Sequence, residues 1–366
     1  MHYKHYFPLS LLILSAACSS DESVFPPPPK GSPAEQLVFG TTSSNSSRAH
    51  WEVGEDGKLS FAWDADNEGK QLVCAIAGYG ENKAFLPGYE TSEANTAPLY
   101  ATYTTIVPDE VVSRATFRTL NYFNATLADL EGCTLHALTP IIAGNEGNAA
   151  TMSGTATEFT ATLPMPATFN QPANGAPSYL SPYMYMHATS IITNGDASLS
   201  FKHIPTTLRF KINNQRAKAA TVKSVSLSID ETTPVAANTV TYTATGDGTA
   251  ATLAYNDEGH ATVSVNIDSE LAAGNTYTAY ALVLPLASAE SFKDKTLKFS
   301  ITTNNKQLAF ELTGELLYSA NANNGYEIYN WVAGNLYTFN LNLQENSVDG
   351  GIEGYGCDSD DSEFGY

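Results

Sequence analysis

In the segment TLRFKI, Leu208, Phe210 and Ile212 alternate with Arg209 and Lys211. A repeat of two sends successive side chains to opposite faces of an extended strand, so one face meets a core and the other meets water. Runs of this kind recur along the whole chain. The first half contains QLVF, KLSFAW, QLVCAIAG, LYATYTTIV and TLHALTPII. From Ser198 onward come LSFKHI, VKSVSLSI, ATVSVNI, YTAYALVLPL, TLKFSITT, QLAFEL and LYTFNLNL. Clusters of Gly, Asn, Asp and Pro separate them, as turns require. No long segment carries the 3.6-residue period of an amphipathic helix, which excludes helical bundles and parallel α/β units. An all-β chain of antiparallel sandwiches is predicted. The composition agrees: only 15% of residues are charged, and 20 Tyr and 16 Phe accompany abundant Thr, Ser and Val.

At 366 residues the chain is long enough for two cores. The Pro- and Ser-rich interval PMPATFNQPANGAPSYLSP divides the two sets of runs. It predicts an N-terminal domain over residues 35–170 and a C-terminal domain over 171–345. Residues 346–366, rich in glycine and acid, read as a flexible tail. The 18 Lys and Arg face 38 Asp and Glu, a net charge of −20. That balance repels phosphate backbones, so a nucleic-acid partner is not expected.

The N-terminus is weakly basic (His2, Lys4, His5) and then apolar from Phe7 to Leu14. The apolar stretch is too short to span a bilayer and reads as a signal peptide, residues 1–17. Ser15, Ala16 and Ala17 precede Cys18. This SAAC resembles a bacterial lipobox, whose cysteine is acylated and becomes the first residue, although Ser15 stands where Leu is usual. Lipid on Cys18 would make the outer membrane a partner, with each buried acyl CH₂ contributing about 0.8 kcal/mol. The acidic pair Asp21 and Glu22 resembles a surface-export signal. Pro26 to Pro29 form a stiff spacer, so residues 18–34 are a tether.

Setting Cys18 aside, Cys74, Cys133 and Cys357 remain. Without a CxxC pair there is no structural zinc motif. Cys74 and Cys133 either form a disulfide in an oxidising compartment or sit apart as two buried thiols. DADNEGK (Asp64 to Lys70) begins like a calcium loop, but the place of the bidentate acid is Ala75, and a polar hairpin turn accounts for the residues. The seven histidines form no HxH or HExxH, and His203 in FKHIP reads as a structural histidine. No nucleophile elbow, P-loop or dinucleotide fingerprint occurs. Neither a metal, a cofactor nor an enzymatic activity is expected.

Several phrases, taken in order, resemble the fimbrillin family, the subunits of type V pili. They are RAHWEVGEDGKLSFAWD, ATFRT, LHALTP, YMYMHAT followed by LSFKHIPTTLRFKI, and VAGNLYTFNLNL. The resemblance spans about Arg48 to Leu343. It implies two tandem transthyretin-like antiparallel β-sandwiches on the cell surface, partnered by other pilus subunits and by a host or bacterial surface ligand. It also implies proteolytic cleavage after Arg48, which would remove the strand made by Glu35, Gln36, Leu37, Val38, Phe39 and Gly40. A sandwich stripped of an edge strand exposes unpaired N–H and C=O groups, which a strand from the next subunit would satisfy. The tail departs from the alternating donor strand of polymerising members. A tethered glycan-binding lipoprotein of a polysaccharide-uptake system is the competing reading of the same signal, spacer and sandwiches.

Overall fold

The computed structural model describes six strands as backbone up to residue 119, and from 131 to 356 the backbone with most side chains. Within the latter range it leaves out 133, 140–150, 156–157, 173–176, 195, 231–232, 257–258, 286–293, 305, 314–330 and 332. In chain order the strands are β1 (Val38–Thr41), β2 (His50–Val53), β3 (Leu59–Ala62), β4 (Gln71–Ala77), β5 (Ala101–Ile106) and β6 (Thr116–Thr119). Then come β7 (Thr134–Thr139), β8 (Thr151–Thr155), β9 (Glu158–Pro164), β10 (Thr168–Asn170), β11 (Met186–Ile191), β12 (Asp196–Leu199) and β13 (Lys202–His203). The remainder are β14 (Thr206–Asn214), β15 (Ala220–Ile229), β16 (Thr239–Thr245), β17 (Ala251–Tyr255), β18 (Thr262–Leu271) and β19 (Thr276–Val283). The last four are β20 (Thr296–Thr303), β21 (Gln307–Thr313), β22 (Leu336–Leu343) and β23 (Val348–Gly356).

The fold is all-β, and its sheets stack as sandwiches. An eight-stranded sheet runs β12-β1-β6-β5-β4-β7-β11-β13, and a four-stranded sheet runs β17-β16-β9-β8. Ring contacts from β7 and β11 to β9 and β16 bring these two faces together. A five-stranded sheet, β10-β18-β15-β20-β21, faces a second four-stranded sheet, β19-β14-β22-β23. There Phe299 lies 4.9 Å from Phe339 and 6.4 Å from Phe210, ring centre to ring centre. β2 and β3 pair as a separate hairpin.

β14 shows why the alternation works. Leu208, Phe210 and Ile212 are fully buried, each worth about 1.5–3 kcal/mol on transfer from water. The opposite face is not simply solvated. Arg209 is buried and donates from Nε to the Thr338 hydroxyl on β22 at 2.9 Å. A charged side chain can be buried there because it is hydrogen-bonded across the sheet.

The two sandwiches are interleaved in sequence. β15 and β18 are neighbours in the five-stranded sheet, yet the intervening hairpin β16–β17 joins the other sandwich, where β16 pairs with β9 over Thr239–Thr245. That hairpin is an arm reaching from the second sandwich into the first. Sheets also bridge the boundary expected at residue 170. β11 to β13 lie in the eight-stranded sheet, while β10 pairs in parallel with β18. Sheet membership depends on which edges offer partners. The Pro-rich interval is no boundary: it contains the strand β10 and a 3₁₀ helix over Pro177–Tyr183.

Part of the expected tail is ordered strand, which corrects the sequence reading. β23 pairs antiparallel with β22 from Leu343↔Val348 to Leu336↔Gly356. The edge of β22 supplies the ladder that composition disfavoured, and the glycines let the backbones approach. A Cβ on Gly350 would stand 1.9 Å from the Asn340 carbonyl oxygen. Residues 357–366 lie outside the described residues.

Candidate functional site

Of the residues singled out in the sequence, Cys18, Arg48, Glu35, Gln36, Leu37 and Cys133 lie outside the described residues. Val38, Phe39 and Gly40 belong to β1, which is not an edge strand. It pairs in parallel with β12 and antiparallel with β6. Withdrawing it would open a slot flanked on both sides, because β12 arrives from 155 or more residues further along the chain to cover the edge. Cys74 lies on β4 opposite Ala137 of β7.

The most unusual chemistry sits where the arm meets the eight-stranded sheet. His136 of β7 and His187 of β11 are 0% and 7% exposed. Both reach into the inter-sheet layer because Thr189↔His136 and His187↔Leu138 are cross-strand pairs, which makes the two histidines diagonal neighbours. Phe159 of β9 stacks on His136 at 5.0 Å and 8°, and on His187 at 5.1 Å and 18°. Tyr242 of β16 meets His187 edge-on at 5.1 Å.

A hydrogen-bond chain runs through this stack. His136 Nε2 is 2.9 Å from the Gly246 carbonyl, in the turn of the arm. A carbonyl only accepts, so Nε2 carries the proton and Nδ1 is the acceptor. His136 Nδ1 is 3.2 Å from His187 Nε2, which therefore donates. That leaves His187 Nδ1 to accept from the Tyr242 hydroxyl at 2.9 Å. One neutral tautomer of each ring satisfies every bond.

The electrostatics favour that neutral state. Burial pushes His187 down to about 3, helped by the neighbouring His136. Burial also lowers His136, against the opposing pull of the Gly246 carbonyl and the Asp247 charge. Tyr242 is pushed up to about 12 by burial. Asp247 is held down to about 2, first by the Thr245 hydroxyl and then by the Thr249 N–H and hydroxyl. These bonds shape the turn. Gly248 has φ +71° and packs so closely on β11 that a Cβ would meet Thr189.

Beside the chain, a cleft of about 320 Å³ separates the edge strands β13 and β17. His187, Tyr242, His203, Ile204 and Leu253 line it. Burial pushes His203 down to about 4. No Asp, Glu, Asn or Gln lines the cleft among the described residues, and of its polar lining His187 and Tyr242 are engaged in the hydrogen-bond chain. Among the described residues no three His, Cys, Asp or Glu side chains gather as a metal site would need. No described helix is long and apolar enough to cross a membrane. The sequence gives little sign of the His136–His187–Tyr242 cluster, whose members lie 51 and 55 residues apart. The one local signal is a histidine within each of two apolar runs, TLHALT and YMYMHAT.

The fimbrillin-like family model matches residues 135–354, more than half of the chain. The chain belongs to the fimbrillin-like family. The match opens at the start of β7 and closes within β23, so this fimbrillin-like segment includes both histidines, the arm and the C-terminal strand. No curated protein matches the chain. Solved structures similar to it include a candidate cell adhesion protein from Bacteroides ovatus, at 12% identity and TM-score 0.47, covering 88% of this chain and 98% of that one. A fimbrial protein from Bacteroides vulgatus is 13% identical, with TM-score 0.42 and coverage of 79% and 93%. The tip fimbrial protein from Porphyromonas gingivalis, with a C-terminal truncation, is 9% identical, with TM-score 0.37 and coverage of 88% and 100%.

Proposed function

We propose that this protein is a structural and adhesive subunit of a cell-surface pilus, held at the outer membrane by lipid on Cys18. Membership of the fimbrillin-like family over residues 135–354 carries the proposal. Two features of the fold support a tethered subunit over a repeating stalk unit. β23 is paired in cis, so the C-terminal strand already has a partner. β1 is clamped between β6 and β12, so removing it costs two ladders of main-chain bonds. In this reading Arg48 is the cleavage point that separates tether from subunit where assembly proceeds by strand exchange. An incoming strand then has to run in the direction of β1, parallel to β12 and antiparallel to β6, to satisfy both sides of the slot.

Mass spectrometry of the protein taken from cell surfaces tests this directly. The expected mature chain begins at acylated Cys18 and sediments with outer membrane. A chain beginning at Ala49 within sheared fibres would replace the tethered reading with assembly by strand exchange. A chain that retains Cys18 and never co-purifies with any other pilus subunit would overturn the pilus role.

A further inference from the structure

We propose that the His136–His187 pair is an acid-released latch that fastens the β16–β17 arm of one sandwich to the eight-stranded sheet of the other. The latch is independent of how the subunit is anchored or assembled.

The arm leaves the second sandwich between two strands that are themselves paired, β15 and β18. Its turn is held to β7 by His136 Nε2–H on the Gly246 carbonyl, and its β16 strand to β11 by the Tyr242 hydroxyl on His187. With both rings neutral, these bonds work only in the arrangement given above. An added proton finds two lone pairs, His136 Nδ1 and His187 Nδ1, and each already accepts a hydrogen bond. A proton on His136 Nδ1 sets it against the His187 Nε2–H, whereas a proton on His187 Nδ1 turns the Tyr242 hydroxyl from donor to acceptor. Reversing the chain relieves this only in part: His136 Nδ1–H then donates to His187 Nε2, and His187 Nδ1–H donates to Tyr242. The Tyr242 proton is left to find an acceptor in the cleft, and a full positive charge stays buried, offset only in part by the face of Phe159.

Surrounding groups give that charge little help. On β16 the facing titratable group is Tyr242, and on β9 it is none, since Phe159 faces the pair and Glu158 lies on the exposed face. The turn brings Asp247, whose carboxylate is engaged by Thr245 and Thr249. On β13, Lys202 stands opposite His187 in register and His203 opposite Met186, so that strand brings no anion to the pair. The cleft is the way out. His187 and Tyr242 line it, and a charged imidazole reaches water by swinging towards it. Doing so removes the donor to His136 and loosens the hold on Gly246. Release loosens the arm, which stays paired with β9, from the eight-stranded sheet and leaves the Phe210–Phe299–Phe339 core untouched.

Amide hydrogen exchange of the full chain between pH 7 and pH 5, corrected for intrinsic rates, tests the latch. The Thr245 and Gly248 amides bond within the arm, to Ala250 and Thr245 carbonyls. Their exchange is expected to rise about twentyfold, the ratio set by a released histidine titrating near 6.5. Amides of β14 and β22 change by less than about twofold. Asp247→Asn leaves the response in place, because that carboxylate titrates far below the window. The double variant His136→Phe/His187→Phe keeps the ring stack, lowers arm protection at pH 7 and abolishes its pH dependence. Nitrogen-15 spectra of the unmodified protein at pH 7 give an independent reading, with both rings protonated at Nε2 alone. A pH-independent arm, an unchanged acid response in the double variant, or an Nδ1–H tautomer on either ring would overturn the proposal.

Discussion

The two sandwiches solve the same packing problem with different materials. In the second, the layer between sheets is apolar and aromatic: Phe210, Phe299 and Phe339 are almost wholly buried and touch one another. In the first, the equivalent position on β7, β9, β11 and β16 holds His136, Phe159, His187 and Tyr242, bonded in a directed chain. A dry aromatic layer is stable at any pH and gives no direction to its contacts. A polar layer that is fully satisfied in one protonation state adds register specificity and becomes conditional on pH.

The largest difference should come from truncating the dry layer. Phe299→Ala is expected to cost about 3–5 kcal/mol, measured by urea unfolding, because the ring leaves a cavity its neighbours cannot close. Acid is the next test. His187 is held at about 3 in the fold and returns to about 6.5 when unfolded, so the unfolded chain binds the extra proton between those values. Stability is therefore full above about pH 6.5 and falls as the pH drops towards 3. At about 1.4 kcal/mol per pH unit the loss reaches about 3 kcal/mol by pH 4. A stability that stays flat from pH 7 to pH 5 would erase the contrast between the layers.

Gly350→Ala probes the edge of the second sandwich. Its Cβ meets backbone rather than a movable side chain, so about 1–3 kcal/mol is expected, with exchange rising along β23 first. Tyr242→Phe is the mildest change. It removes one donor to His187, costs about 1 kcal/mol at pH 7, and moves the acid-sensitive window upward by freeing His187 Nδ1. An unchanged window would mean that the hydroxyl does not hold the tautomer.

The second sandwich was legible in the sequence except for β10 and β23. The runs TLRFKI, VKSVSLSI, ATVSVNI, TLKFSITT and LYTFNLNL all became strands, because large apolar residues recur at every second position. The four-stranded sheet of the first sandwich was missed entirely. In TVTYTAT and EFTATLP the inward residues Val240, Tyr242, Ala244, Phe159, Ala161 and Leu163 do alternate, yet the outward partners are mostly threonines and the flanks look like loops. The expected loss of an edge strand also changed meaning once β12 was seen to cover β1.

Period-two alternation and the absence of helical periodicity determined, without coordinates, that this protein is all-β, because side-chain parity is a local property of an extended chain. The order of phrases likewise sufficed to indicate its family. Which strands share a sheet was settled only in three dimensions. β23 became a strand because β22 offered an edge, and the β16–β17 arm left its sequence neighbours because β9 offered another. The histidine pair belongs to the same class. Hydrogen bonds between side chains on separate strands depend on register and sheet stacking, and neither is written in the spacing of His136, His187 and Tyr242.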